Sequence, residues 1–132
     1  SSCKGKKMLD AKTPIVYSCS GCSNLAQMAH DISSNLDSDG IAEMSCISGV
    51  IGKVKPVADL AYSGRPIIAI DGCGMGCTKS CLSACDLVPE HYFDISQYGF
   101  EKRHKDANSL KENSIAMNNI YSELRKSGIT FP

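Results

Sequence analysis

Eight cysteines in a chain of 132 residues are the side chains here best suited to chemistry. A thiolate is a nucleophile, a redox centre and a ligand for soft metals. In a small secreted protein an even cysteine count reads as a disulfide framework. This chain is long enough to build a core without one. Its other residues also alternate between helical and extended patterns, so no disulfide scaffold is needed. Clustered cysteines in a reducing compartment more often serve metal or redox chemistry. Cys19-Ser-Gly-Cys22 is the closest pair, with the C-x-x-C spacing of a thiol-redox site. Cys73 and Cys77 stand four residues apart, and Cys46 stands alone.

These cysteines must be positioned by the elements around them. Pro14-Ile-Val-Tyr17 is a short apolar run and reads as a strand. Leu25, Met28, Ala29, Ile32 and Leu36 then fall on one face of a helix, closed by Asp39-Gly40. Residues 41–45 read as a second strand. A bend at Gly49 and Gly52 leads to a helix over 53–63, with Pro56 in its first turn. Ile67-Ile-Ala-Ile70 is apolar throughout, as in a strand covered on both faces. A third helix is expected over 75–86 and a fourth strand over 91–95. A last helix, starting near Ser109, buries Met117, Ile120, Tyr121 and Leu124. Repeated strand–helix units with right-handed crossovers predict a three-layer α/β sandwich, Rossmann-like or flavodoxin-like. Its mostly parallel sheet of about four strands is expected in the order 2-1-3-4. Residues 1–13, lysine-rich with Cys3 outside any pattern, read as a flexible arm. Residues 14–132 read as a single domain.

On that map Cys19 follows strand one, Cys46 strand two and Cys73 strand three. Parallel strands end at one edge, so three cysteines far apart in sequence meet there. The outer two of three adjacent strands lie ~10 Å apart. A zinc–thiolate bond of ~2.3 Å and a Cα-to-Sγ reach of roughly 2.8 Å let two cysteines share a metal across about that distance. Strand one must then lie between strands two and three, at the switch point where open α/β sheets bind ligands. Cys77, at the start of the third helix, completes a four-thiolate set of the kind that holds structural zinc. The expected metal ligands are Cys19, Cys46, Cys73 and Cys77, and the expected metal is Zn. A thiol-redox enzyme or sensor using Cys19 and Cys22 is the alternative. An iron–sulfur cluster on the same thiols is another.

Several motifs resemble the DGC-domain family: Tyr17-Ser-Cys-Ser-Gly-Cys-Ser-Asn24, Ala42-Glu-Met-Ser-Cys46, and Gly64 through Asp71-Gly72-Cys73 with Cys77. The resemblance covers roughly residues 14–104. It implies a zinc-binding protein of bacteria or archaea, with four chelating cysteines at the same four positions and no assigned reaction. Some relatives carry Ala at the position of Cys22, which lowers its standing as an obligatory ligand.

The remaining residues have quieter readings. Cys81 and Cys85 are expected in the core on one face of the third helix with Cys77, Ala84 and Val88. Asp71 is expected as a turn or helix-cap carboxylate, with a role beside the metal as the sharper idea. Ser20, Gly21 and Asn24 read as ordinary capping, His30 as solvated, and Met44 and Met75 as core. His91 and His104 are not paired by spacing with any nucleophile. Leu25 stands six residues after Cys19 where a cysteine phosphatase loop needs Arg. The 14 basic and 14 acidic residues cancel, so nothing favours nucleic acid. No apolar run approaches the ~18–20 residues of a membrane span and no signal-peptide pattern opens the chain, so a cytoplasmic location is expected. Neither a protein partner nor a substrate is legible.

Overall fold

The computed structural model describes residues 13–19, 23–72, 74–99, 110–129 and 131. Four parallel strands form one sheet in the order β2-β1-β3-β4: β1 (Ile15–Ser18), β2 (Glu43–Met44), β3 (Ile67–Asp71) and β4 (His91–Asp94). This is the expected 2-1-3-4 order, with β1 and β3 as the inner strands. β3 is buried at all five positions because helices cover both its faces.

The strands' period-2 alternation divides the core in two. On one face Val16, Ile68 and Ile70 pack under α1 (Asn24–Ser38) and α5 (Leu110–Lys126). On the other face Ile15, Tyr17, Ile67 and Ala69 pack under α2 (Ile47–Ile51), α3 (Lys55–Ala61) and α4 (Cys77–Ala84). Helix α1 buries Leu25, Met28, Ala29, Ile32 and Leu36 as its spacing predicts. It is capped by Ser23, whose Oγ accepts from the Ala26 N–H at 3.1 Å. Helix α5 buries Ile120 and Leu124 and half-buries Met117 and Tyr121.

Four local expectations shift. The second strand shortens to Glu43–Met44, with Ile41 and Ala42 buried but outside the ladder. The Gly49–Gly52 bend is instead the short helix α2. Gly49 lies in it because a Cβ there would stand 2.8 Å from Val57 Cγ1, so its missing side chain lets α2 and α3 pack closely. Helix α4 begins two residues later than expected, after Gly76 turns the chain with φ of 67°. β4 stops at Asp94, and Ile95–Tyr98 forms a 3₁₀ turn capped by the Asp94 carboxylate. The expected start of the last helix at Ser109 lies outside the described residues, as does the arm apart from its last residue, Thr13. No helix among the described residues is long and apolar enough to cross a membrane.

Candidate functional site: the cysteine edge of the sheet

Parallel pairing brings the chain after β1, β2 and β3 to one edge. The Cys19 N–H donates to Ile70 O at 3.2 Å, and the Ser45 N–H donates to Val16 O at 3.1 Å. Cys19 is therefore flanked by the exits of β2 and β3. Its side chain is buried, and its Sγ accepts the Gly72 N–H at 3.1 Å.

Gly72 makes that contact possible. A Cβ on it would lie 2.4 Å from the Leu25 carbonyl carbon and 2.5 Å from Ala26 N. The β3 exit thus runs directly against the first turn of α1, and any side chain would push it away. The glycine is required by this close approach of two backbones rather than by a turn.

Asp71 is a helix-cap carboxylate. It is 1% exposed, and its two oxygens accept the Thr78 N–H at 2.7 Å, the Lys79 N–H at 3.2 Å and the Tyr92 hydroxyl at 2.9 Å. It satisfies free N–H groups of α4 and complements the helix dipole. In doing so it fixes Cys77, the first residue of that helix, relative to β3. Tyr92 went unnoticed in the sequence. Its partner in the ladder is Ala69, two residues before Asp71, so both side chains lie on one face of the sheet. Burial, together with the Asp71 carboxylate, pushes the Tyr92 phenol pKa well up. The Lys79 ammonium stands 4.9 Å from the Tyr92 ring centroid.

Cys46 is exposed at the N-cap of α2. Its Sγ lies 3.3 Å from Ser48 Oγ. That hydroxyl, then the Gly49 backbone N–H, lowers the thiol pKa against a smaller opposing effect of burial. The spacing of a cysteine two residues before a serine at a helix start was the available signal. Helix α2 packs against α4, so the two helices that begin at Cys46 and Cys77 are neighbours. Cys77 is exposed, and Met75, expected in the core, is 75% exposed beside it. Met44 does pack on the core, and His30 is exposed.

Cys73, Cys22, Ser20, Gly21 and His104 lie outside the described residues. Among the described residues no group of three Cys, His, Asp or Glu side chains is gathered closely enough to hold a metal ion. Cys19, Cys46 and Cys77 thus share an edge without a ready-made three-ligand cage. The donor chemistry, thiols with supporting N–H and hydroxyl groups, suits a soft cation. Cys81 and Cys85 are half-buried rather than enclosed, and Val88 is 82% exposed. At the opposite edge a cleft of about 480 Å³ opens between Thr13, Ile41, Pro66, His91 and Ile129, away from the thiols.

A protein of Pseudomonas aeruginosa (strain PAO1) described as the anaerobic and virulence modulator AnvM is 48% identical over 95 residues, covering 72% of each chain. No solved structure matches. Residues 15–120 match the DGC domain, and the chain belongs to that family.

Proposed function

We propose that this chain is a metal-binding protein that holds zinc through Cys19, Cys46, Cys73 and Cys77 at the carboxyl edge of its sheet. The observation that carries the reading is the strand order β2-β1-β3, which sets Cys19 between the exits that lead to Cys46 and Cys73. The Asp71 cap ties the start of α4, where Cys77 stands, to the end of β3. Zinc would supply cross-linking of the three exits and would be held by deprotonated thiols. Gly72 donates to the Cys19 sulfur, Ser48 supports the Cys46 sulfur, and Asp71 fixes the turn that bears Cys77. Because the three described thiols are not gathered into a cage, metal binding is expected to draw the β2 and β3 exits together.

Protein purified anaerobically without added metal should contain about one equivalent of zinc, as expected of a structural site contributing on the order of 10 kcal/mol. Chelation should then lower its melting temperature. Zinc well below one equivalent, with no other metal, would count decisively against the reading. Iron and a visible colour would favour the iron–sulfur alternative.

A redox role is the second reading, and the exposed, acidified Cys46 thiol favours it. A relative described as an anaerobic modulator fits a thiol site that answers to oxygen. A reversible Cys19–Cys22 disulfide under mild oxidant would support this role. Mass spectrometry that finds no such bridge, and no oxidation of Cys46, would remove it. We place the site in the cytoplasm, where thiols stay reduced.

A further inference from the structure

Among the described residues the sheet-edge site leaves two thiols unused. Cys81 follows Cys77 on α4, and Cys85, the residue that caps the end of the helix, follows Cys81, each at an interval of four residues, so the three make a stripe along one side. At 1.5 Å per residue, Cys81 and Cys85 lie about 6 and 12 Å further from the sheet edge than Cys77. Cys85 is beyond the reach of a tetrahedron centred there with bonds of ~2.3 Å, and with Cys77 engaged at the edge, Cys81 is left to pair with Cys85. Yet both keep access to solvent. Burial, followed by the neighbouring Cys77 and Cys85 thiols and Asp71, raises the Cys81 pKa, so the thiols lie within electrostatic range of one another.

The end of α4 that carries Cys85 is firmly built. The Leu87 N–H donates to Leu82 O at 2.8 Å, and the Asp86 N–H donates to Ser83 O at 3.0 Å. Asp86 takes the left-handed conformation that closes such a helix, with φ of 59°. The Tyr62 hydroxyl donates to Cys85 O at 2.6 Å. The Cys85 side chain rests on the core cluster under α4.

Spacing decides what such a pair can do. Residues four apart on a helix have Cβ atoms about 5–6 Å apart. A disulfide needs about 3.5–4.5 Å. Two sulfurs bridged by one ion at ~2.3 Å each stand about 4.6 Å apart, which that helix spacing accommodates. With two thiols and no third ligand gathered among the described residues, a four-coordinate ion is poorly served. A soft cation that accepts two ligands is well served.

We propose that Cys81 and Cys85 form a second thiol site, separate from the sheet edge, that binds a monovalent thiophilic cation such as copper(I) between two sulfurs. Binding forms two metal–sulfur bonds and releases the two thiol protons to solvent, with no change in oxidation state. It uses neither Cys77 nor zinc.

The test uses the full chain as purified, held anaerobically, with copper(I) supplied up to one equivalent from a chromophoric chelator. Alkylation mapped by mass spectrometry should show Cys81 and Cys85 protected together, each by about ten-fold or more, with zinc content unchanged. Cys81→Ser and Cys85→Ser should each lose the copper taken from the chelator as completely as the double variant. Protection of only one of the two thiols would overturn the proposal, and so would copper uptake unchanged in either variant. Displacement of zinc with protection at Cys19 and Cys46 instead would also overturn it. Because zinc is measured separately, a chain that holds no zinc yet protects both thiols refutes the sheet-edge reading and upholds this one.

Discussion

Gly72→Ala is the sharpest perturbation of the cysteine edge. The new Cβ would sit 2.4–2.5 Å from the backbone of Leu25 and Ala26. Ordinary carbon contacts lie at about 3.5–4.0 Å, so roughly 1 Å of relief is needed. No flexible side chain can give way, because the opposing atoms are the first turn of a buried helix. Overpacking typically costs about 1–3 kcal/mol, and rigid backbone on both sides places this case at or above about 3. For a domain between the small and large size classes, that corresponds to a fall in melting temperature of roughly 9–15 °C. The same displacement lengthens the 3.1 Å contact from the Gly72 N–H to Cys19 Sγ, so alkylation of Cys19 should accelerate. The control lies two residues on: a Cβ on Gly74 meets only Ser96 Oγ, at 3.7 Å, so Gly74→Ala should stay within about 0.5 kcal/mol of the parent. Thermal unfolding by circular dichroism on metal-free protein reads both. Equal melting temperatures for the two variants would refute the close-approach reasoning.

Other consequences follow from the same edge. Asp71→Asn should cost about 2–3 kcal/mol by weakening charge-assisted bonds to Thr78, Lys79 and Tyr92, and amide exchange should quicken first at Thr78 and Lys79; uniform quickening across α4 would contradict a capping role. The folded chain holds the Tyr92 phenol proton more tightly than the unfolded chain. Above about pH 10 the unfolded state releases that proton first, so stability falls as pH rises. Tyr92→Phe should flatten this loss in denaturant titrations between about pH 9 and 11, and an unchanged slope would show that the phenol is not held. Gly49→Ala should destabilise by about 1–2 kcal/mol through Val57, and Val57→Ala added to it should recover part of that, so strict additivity in the double-mutant cycle would exclude the α2–α3 contact.

The sheet was legible because β1 and β3 are apolar on both faces and α1 has a clean helical stripe. The strand order followed from the demand that Cys19 lie between Cys46 and Cys73, a functional constraint used as a topological one. The short elements were less legible. Gly49 marks a helix contact rather than a bend because its neighbour Val57 comes from another helix, which local spacing does not reveal. Tyr92 reaches Asp71 through parallel register between strands twenty residues apart, and register is set by the whole sheet. Met75 is exposed because the chain turns at Gly76 before α4 starts, two residues later than the apolar pattern implied.

X-ray absorption at the zinc edge, on anaerobically purified protein and its Cys19→Ser and Cys46→Ser variants, tests the central claim most directly. The account predicts a shell of four sulfurs at ~2.3 Å in the parent, and loss of zinc or replacement of one sulfur by a lighter ligand in each variant. A parent without zinc, or a shell unchanged by either substitution, would contradict it.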